Sequence, residues 1–470
     1  MAFSVALPFV VVGLAALAKS QSSTVEAYIS KESPIAQAGV LAAIGPDGKN
    51  SGGAAAGVIV ASPSNSNPDY LYTWTRDAAL VSRVLVDEFT SGGDSSLQSV
   101  IESYVTAQDK QQHVDNPSGG FDSGGLGEPK FNKDLTAFTG AWGRPQTDGP
   151  ALRALTLMEF GNYLISKDNS TYVTDTLWPI VKADLDYTVK YWDQQTFDLW
   201  EEVQSSGSFF TAVAQHAALR EGATFASAVG QDAGDYGSTA DKVLCSAQSY
   251  WKADEGFFNA NQGGGRSGID NNAVLASIHT FDADAGCDAN TFQPCSDRAL
   301  SNLKVYVDSF RGLYQINPSG EKDPILTGRY KEDSYQGGNP WYLNTFAVAE
   351  QLYDALTTWD KVGQVDVTST SLAFFKQFSD SIAEGTYKKD SDEYSTLTKA
   401  VKDWADGFIE IIAKNTPEDG SLAEQINKDS GEPASALDLT WSYASAVSAF
   451  RARDGFVPPS WGAANVTTKC

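Results

Sequence analysis

Residues 397–412 read LTKAVKDWADGFIEII, and apolar side chains recur in this stretch every three or four positions. This spacing places them on one face of a helix and leaves the lysines and aspartates on the other. The residues on the apolar face are Leu397, Val401, Trp404, Phe408 and Ile411. The same period recurs along the chain after residue 70, whereas alternating, strand-like stretches are few. The sequence therefore predicts an all-α fold.

Eight further segments show helical periodicity, so that nine or ten helices are expected in all. Pro150 and Pro179 stand where a first helical turn tolerates proline. No linker rich in Ser, Thr and Pro and no long repeat interrupts the helices, which predicts one large domain. The further segments are 78–89, 97–107, 152–165, 177–192, 210–219, 300–310, 346–356 and 439–450.

Several loops that combine aromatic and acidic residues stand directly upstream of a predicted helix. In a fold of helices that alternate up and down, the loops at one rim precede every second helix. We therefore expect these loops to converge on a single site. They cover residues 70–77, 142–148, 199–202, 337–341 and 420–425.

The charge balance excludes several partners. The chain has 34 basic and 59 acidic residues and a formal charge of −25 at pH 7, and no stretch clusters lysine and arginine. A nucleic acid or an anionic membrane surface needs a basic face, so neither is an expected partner.

Three familiar kinds of site are also disfavoured. The three histidines form no HExxH motif and no cluster with cysteine, so neither a metal nor another cofactor is expected. The absence of GxSxG excludes a hydrolase nucleophile elbow. Asp122-Ser-Gly and Asp429-Ser-Gly resemble the triplet of aspartic proteases, but both stand in polar loops of a helical chain rather than after apolar strands.

The first residues and the cysteines indicate export. The apolar run Val5–Ala18 is short for a membrane span and turns polar after small residues, which predicts a signal peptide over residues 1–20 and a domain over 24–470. We expect a secreted, extracellular glycoprotein, with sequons at Asn169 and Asn465. Four cysteines without a CxxC predict two disulfides with three possible pairings, and they are Cys245, Cys287, Cys295 and Cys470.

The placement of tryptophans suits carbohydrate. Indole rings next to arginine, carboxylate or amide groups offer flat apolar faces for sugar C–H surfaces and polar partners for the hydroxyls. Hydrolysis of a sugar acetal needs only two carboxyl groups, and the adjacent Glu201 and Glu202 after Trp200 supply a candidate acid. Spacing alone does not select the second carboxylate.

Nine segments, in order and spread over the chain after the signal segment, resemble the fungal glucoamylases, the exo-acting glucan 1,4-alpha-glucosidases of glycoside hydrolase family 15. This resemblance implies an (α/α)6 barrel of six outer and six inner helices. It also implies an inverting enzyme that releases β-D-glucose from the non-reducing ends of starch, maltodextrins and related α-1,4 glucans, and more slowly from α-1,6 linkages. A monomer without cofactor is expected. The segments are NPDYLYTWTRDAAL from Asn67, GLGEPKFN from Gly125, AWGRPQTDGPALRA from Ala141, DLWEEV from Asp198, SIHTFD from Ser277, GRYKED from Gly328, GNPWYLNT from Gly338, DGSLAEQ from Asp419 and LDLTWSYA from Leu437.

The resemblance also implies roles for individual residues. Glu201 is similar to the general acid of the family, and Glu424 to the base that activates water. The implied disulfides are Cys245–Cys470 and Cys287–Cys295. The residues similar to substrate-binding positions are Tyr70, Trp74, Arg76, Asp77, Trp142, Glu202, Arg329 and Trp341.

Some features depart from the family. Many members continue into a starch-binding domain, whereas this chain stops at Cys470, so no such domain is expected. Ile426 follows Gln425 where relatives commonly have tyrosine, which changes the surroundings expected for the base. Two other interpretations stay open: a saccharide-binding protein without catalysis, and an exo-glucosidase that prefers another α-linkage or short oligosaccharides.

Overall fold

The computed structural model describes the backbone of residues 9–470 and the side chains of residues 24–470. The predicted signal peptide, residues 1–20, lies outside the part with described side chains. The helices are α1 (Phe9–Ala42), α2 (Thr75–Thr90), α3 (Leu97–Gln112), α4 (Asp148–Ser166), α5 (Ser170–Tyr172), α6 (Trp178–Tyr191), α7 (Phe209–Ala228), α8 (Tyr236–Gln248), α9 (Asn272–His279), α10 (Asp297–Asp308), α11 (Tyr342–Val362), α12 (Leu372–Lys376), α13 (Asp392–Lys414) and α14 (Thr440–Arg453).

Six of these helices form a closed inner ring. Each of α2, α4, α7, α9, α11 and α14 packs against the next, and α14 returns to pack against α2. The outer helices α1, α3, α6, α8, α10 and α13 each lie against this ring. An inner helix is buried on most sides, as in α4 and α7, whereas an outer helix such as α13 buries one apolar face. The predicted (α/α)6 barrel is confirmed.

Short pairs of strands lie in the loops of the barrel. Each of the five pairs in the described residues is antiparallel. Three of them lie in loops that precede an inner helix and hold the residues of the site in place. The strands are β1 (Tyr72–Trp74) with β2 (Lys130–Asn132), β3 (Thr196–Phe197) with β4 (Gln204–Ser205), β5 (Trp251–Lys252) with β6 (Phe257–Phe258), β7 (Gln364–Val367) with β8 (Gly385–Lys388), and β9 (Gln425–Ile426) with β10 (Pro433–Ala434).

The nine periodic segments are all helical, but the sequence pattern missed three of the barrel helices, α1, α8 and α9. Pro34 inside α1 is a helix-breaking signal that packing against α13 and α14 overrides. Helix α9 has eight residues and is buried almost throughout, so it shows no polar face to mark a period. Helix α8 has a narrow apolar stripe among small and polar residues.

Two disulfides close the chain, between Cys245 and Cys470 and between Cys287 and Cys295, with Cα–Cα distances of 5.2 and 4.9 Å. These are the pairs that the family resemblance implies. Between Phe9 and Cys470 the structure shows no helix of the length and apolarity that a membrane crossing needs.

Candidate active site

A pocket lies where the loops before the inner helices meet. Eight of the ten predicted catalytic and substrate-binding residues line it, so residues 354 positions apart in the sequence face one space. The other two, Trp142 and Glu202, each contact one of these eight through a hydrogen bond. The eight are Tyr70, Trp74, Arg76, Asp77, Glu201, Arg329, Trp341 and Glu424.

Glu201 lies in the turn between β3 and β4, in the left-handed region at φ +66°. Asp198 holds this turn, because its Oδ1 accepts the backbone N–H groups of Glu202 and Val203 at 3.0 and 3.1 Å. The indole N–H of Trp142 donates to Glu201 Oε2, and Gln146 Nε2 donates to the same oxygen at 3.1 Å. The carboxylate is therefore oriented by two donors and keeps 19% exposure.

Arg76 lies in the wall of the pocket beside Glu201. Its guanidinium donates to Gln146 Oε1 at 2.7 Å and to Asp148 Oδ2 at 3.1 Å, and it lies 3.4 Å from Glu201 Oε1. Burial raises the pKa of Asp77, in the first turn of α2, to about 6, although the charge of Arg76 opposes the shift. Both side chains are held in place where they can meet sugar hydroxyls.

Glu202 points to the opposite side of the turn from Glu201. Arg329 Nη2 donates to its Oε1 at 2.9 Å, Tyr330 donates to its Oε2 at 2.5 Å, and Arg266 forms an ion pair with Oε2. Arg329 is also bonded through two nitrogens to Asp333, at 2.6 and 2.7 Å. Glu202 thus contacts the pocket through Arg329 rather than as part of its lining.

Glu424 enters the pocket from the other side of the barrel and is only 1% exposed. Ser435 Oγ donates to its Oε2, and Gln425 Nε2 donates to the same oxygen at 3.2 Å. Burial raises the pKa of Glu424 to about 7, while the bond from Ser435 and the charge of Arg329 oppose this shift. An isolated β-bridge between Gln425 and Trp341 ties this loop to the loop before α11.

The pocket also contains residues that the sequence reasoning did not select. Trp200 donates its indole N–H to Asp270 at 2.8 Å, and its ring lies 5.7 Å from that of Trp341 and 6.5 Å from that of Trp441. A signal existed for both tryptophans, since Trp200 directly precedes Glu201 and Trp441 lies in the segment LDLTWSYA. The remaining missed lining residues are Ala61, Leu199 and Leu439.

Two more observations concern the other sequence predictions. No group of three or more His, Cys, Asp or Glu side chains in the described part of the chain could hold a metal ion. Asn169 and Asn465, the asparagines of the two sequons, are both exposed.

The arrangement suits acetal chemistry. Two carboxyl groups from distant loops face one pocket, and indole rings and guanidinium groups surround them. A protonated carboxyl can assist the leaving oxygen while an ionised one activates water or attacks the sugar. Fold and pocket together define a glycoside hydrolase built on a helical barrel.

Comparison with known families agrees with this class. The family model of Glycosyl hydrolases family 15 matches residues 34–451. The chain belongs to this family.

Individual relatives cover most of the chain. Glucoamylase-1 of Schizophyllum commune is 71% identical over 455 residues, which are 97% of this chain and 79% of the relative. A glucoamylase of Neurospora crassa is 54% identical over 95% of this chain and 71% of its own length. Among solved structures, the family 15 glucoamylase from Hypocrea jecorina matches with a TM-score of 0.93 at 51% identity, covering 95% of this chain and 76% of that one.

Proposed function

We propose that this protein is an exo-acting, inverting glucoamylase that releases β-D-glucose from the non-reducing ends of starch, maltodextrins and related α-1,4 glucans, and more slowly from α-1,6 linkages. The observation that carries the proposal is that Glu201 and Glu424 line one pocket with Arg76, Asp77 and four tryptophans. Relatives named glucoamylase, at up to 71% identity, support the substrate class.

Glu201 acts as the general acid. Its carboxyl proton passes to the glycosidic oxygen as the bond from that oxygen to the sugar C1 breaks. The donors Trp142 and Gln146 bind Oε2, which leaves Oε1, on the side of Arg76, as the oxygen that can carry the proton toward the substrate. Arg76 then lies beside the carboxylate that forms and stabilises its charge.

Glu424 acts as the base that removes a proton from the attacking water. The water adds to C1 on the face opposite the leaving oxygen, so an α-linked substrate yields β-glucose. An inverting enzyme needs room for this water, and we expect the two carboxyl groups to stand about 6.5 to 9.5 Å apart. Ser435 and Gln425 hold the carboxylate of Glu424 in position for the transfer.

The shape of the pocket accounts for exo action. Arg76 and Asp77 lie at the wall beside Glu201, and Arg329, Trp341 and Trp441 complete the lining. We expect a terminal glucose held by these groups to fill the inner end of the pocket, so that the chain cannot continue beyond it. Tyr70, Trp74 and Trp142 would contact the sugar rings next to the cleaved bond.

The proposal includes the setting of the enzyme. We expect a secreted, extracellular monomer that acts on starch and malto-oligosaccharides and carries N-glycans at Asn169 and Asn465. Two disulfides and the exposure of both asparagines support this expectation. Activity should persist in EDTA, since the two carboxyl groups suffice for the reaction.

The assignment of the two carboxylates is tested by Glu201→Gln and Glu424→Gln. Each variant should keep the fold and lose about 10²- to 10⁴-fold in kcat on maltose, because proton transfer by a positioned carboxyl contributes about that much. Glu393→Gln, which changes an exposed glutamate of α13, is the matched control and should keep full activity. Near-normal turnover by either pocket variant would show that the assignment is wrong.

Stereochemistry and product size are tested by proton NMR in the first minutes of maltoheptaose hydrolysis. We expect β-glucose as the first anomer and glucose as the sole early product. Initial α-glucose would indicate a retaining mechanism with a covalent intermediate. Early maltose or longer fragments would indicate a cleft that is open at both ends.

A further inference from the structure

Lys130 lies on β2 directly opposite Trp74 of β1, and its side chain is only 2% exposed. Its ammonium is enclosed by aromatic rings rather than by acids. The distances from Nζ to the ring centroids are 4.0 Å for Tyr72, 4.6 Å for Trp74, 4.4 Å for Phe138 and 3.6 Å for Trp142. These four rings are called the Lys130 cage below.

The cage is the main compensation for burying this charge. Within the described residues, Nζ forms no hydrogen bond and has no carboxylate oxygen within 4.0 Å. Burial lowers the pKa of Lys130 to about 8, the charges of Glu201 and Asp69 oppose the shift, and Arg144 adds to it. The side chain is therefore charged in acidic and neutral solution, where the faces of the four rings attract it.

The closest ring of the cage belongs to Trp142, which also touches the proposed acid. Nζ lies 3.6 Å from the Trp142 centroid, and the indole N–H of the same residue donates to Glu201 Oε2. The ring is further fixed by Phe138 and Trp74, with centroids 5.8 and 5.9 Å away. A continuous set of contacts thus runs from Lys130 through Trp142 to Glu201.

We propose that Lys130 is a positioning residue for the proton transfer from Glu201. Its ammonium holds the Trp142 indole where the N–H donates to Glu201, and its positive charge favours the carboxylate that remains after the proton has moved to the leaving oxygen. This inference rests on the proposed function, in which Glu201 is the general acid.

Other charged and titratable groups also face Glu201. The effect of the Lys130 charge on this carboxylate therefore comes in addition to theirs. Arg76 lies 3.4 Å from the carboxylate, and Asp77 and Tyr70 interact with its charge. Arg76 bonds to Gln146 and Asp148 as well, so it is shared among several partners. Lys130 is a further cation that acts on Glu201, and it does so from the side of Trp142.

The experiment compares Lys130→Met with Lys130→Arg on two substrates. Maltose requires a proton on its leaving oxygen, whereas the fluoride of α-D-glucosyl fluoride departs without one. We expect K130M to lower kcat on maltose by about tenfold and kcat on the fluoride by less than about twofold. K130R retains both the charge and the cation–π contact and should restore most of the maltose activity.

The pH profile supplies a readout that a purely structural role would not change. Loss of the positive charge near Glu201 should move the basic limb of the kcat profile on maltose to higher pH in K130M but not in K130R. Lys110→Met removes an exposed lysine of α3 and should leave the profile unchanged. If K130M does not fold, Lys130→Gln tests the same loss of charge with a polar side chain.

A double-mutant cycle with Trp142→Phe tests whether the effect of Lys130 on Glu201 passes through the indole N–H. W142F removes this N–H donor, so K130M should have a smaller effect in the W142F background than alone. Equal losses on both substrates, an unchanged pH profile or additive effects in the cycle would each overturn the proposal.

A parallel Glu201→Gln variant separates this inference from the proposed function. E201Q should lose maltose activity and keep fluoride activity. Where E201Q behaves in this way and K130M does not, the role of Lys130 alone is refuted. Retention of maltose activity by E201Q would refute the assignment of the acid and, with it, this inference.

Discussion

At the scale of the residue, Glu424 shows a conflict between burial and function. The proposed catalytic base must be ionised to accept a proton, but burial raises the pKa of Glu424 to about 7. Ser435, Arg329 and Tyr70 oppose the shift by a hydrogen bond or a positive charge that favours the carboxylate. The groups around the carboxylate therefore set the lowest pH at which the enzyme works.

Ser435→Ala tests whether the hydrogen bond from Ser435 limits the rise in the pKa of Glu424 that burial causes. Without the hydrogen bond from Ser435 the pKa of Glu424 rises, so the base becomes protonated at a higher pH and activity is lost earlier on acidification. We expect the acid limb of the kcat/KM profile to move up by about one to two pH units, since a hydrogen bond to a charged group is worth about 1.5 to 3 kcal/mol. Ser430→Ala, in the same hairpin but exposed, is the control. An unchanged acid limb in S435A would contradict the role of Ser435.

At the scale of the element, the packing of α1 on α14 depends on a glycine. A Cβ atom at Gly39 would lie 2.6 to 2.8 Å from ring atoms of Tyr443. The Tyr443 ring has little freedom to move, because its hydroxyl bonds to Asp438 at 2.5 Å and to the backbone N–H of Leu422 at 3.3 Å. Two helices approach closely here because no side chain separates them.

Gly39→Ala should therefore destabilise the protein even though alanine favours helix. We expect a loss of about 1 to 3 kcal/mol in the free energy of unfolding, as for other overpacked contacts, measured by urea denaturation. Gly237→Ala in α8 is the matched change, because a Cβ there meets nothing within 4 Å. That variant should be neutral or more stable by up to about 1 kcal/mol. Equal stability of the two variants would contradict the packing argument.

Helix α11 carries a second feature at this scale, a pair of buried acids one turn apart. Glu350 and Asp354 line a separate cavity that shares Trp441 with the proposed active-site pocket. Burial raises the pKa of Glu350 to about 8 and that of Asp354 well above its usual value, and Asp354 feels the charge of Glu350 as well. The other charged or titratable groups of the lining are Arg83, Asp87, His279 and Arg451.

These acids make stability fall as the pH rises. Below its raised pKa of about 8, Glu350 is protonated in the folded state but ionised in the unfolded chain, so between about pH 5 and pH 8 the unfolded state binds fewer protons and the free energy of unfolding decreases. The raised pKa of Asp354 acts in the same direction. Glu350→Gln removes one such group and should lose less stability over this range than the parent protein. Urea denaturation at both ends of the range measures the difference, with Glu393→Gln as control. A parallel decline in E350Q and the parent would show that Glu350 does not contribute.

At the scale of the whole molecule, the residues after α14 are tied to the barrel by a disulfide and by several hydrogen bonds. Cys470 is bonded to Cys245 of α8, 225 residues away in the sequence. Asp282 Oδ2 accepts hydrogen bonds from Ser460 Oγ at 2.7 Å and from the backbone of Ala463 at 2.9 Å. The segment beyond Arg453 is thereby held across the outside of the inner ring.

The two disulfides should contribute unequally. In the chain-entropy model a bond that closes a long loop stabilises more than one that closes a short loop, and the separations are 225 and 8 residues. Replacing both Cys245 and Cys470 by serine should cost about twice as much free energy of unfolding as replacing Cys287 and Cys295. Melting temperatures of the two double variants measure the ratio. A larger loss from the short loop would show that local packing outweighs the entropy of the unfolded chain.

The sequence alone determined most of the helices and one member of the proposed catalytic pair. Apolar residues at helical spacing predicted nine of the twelve barrel helices, because a helix that packs on a core must bury at least one apolar face whatever its partner is. Glu201 could be selected as a candidate from its neighbours Trp200 and Glu202. Helix α9 and the second carboxylate, Glu424, could not be found from local pattern. The first is too short and too fully buried to show a period, and the second is distinguished by its position in space.

The tertiary structure alone decided which residues of distant loops lie close together. Closure of the ring by α14 against α2 places Glu424 and Glu201 in one pocket, and only this closure raises the pKa of Glu424 by excluding water. It also brings four rings around Lys130 and sets Trp441 between two cavities. Local sequence records which residues prefer helix and which prefer to be buried. Distances between loops depend on how twelve helices pack at once, and no single segment contains that information.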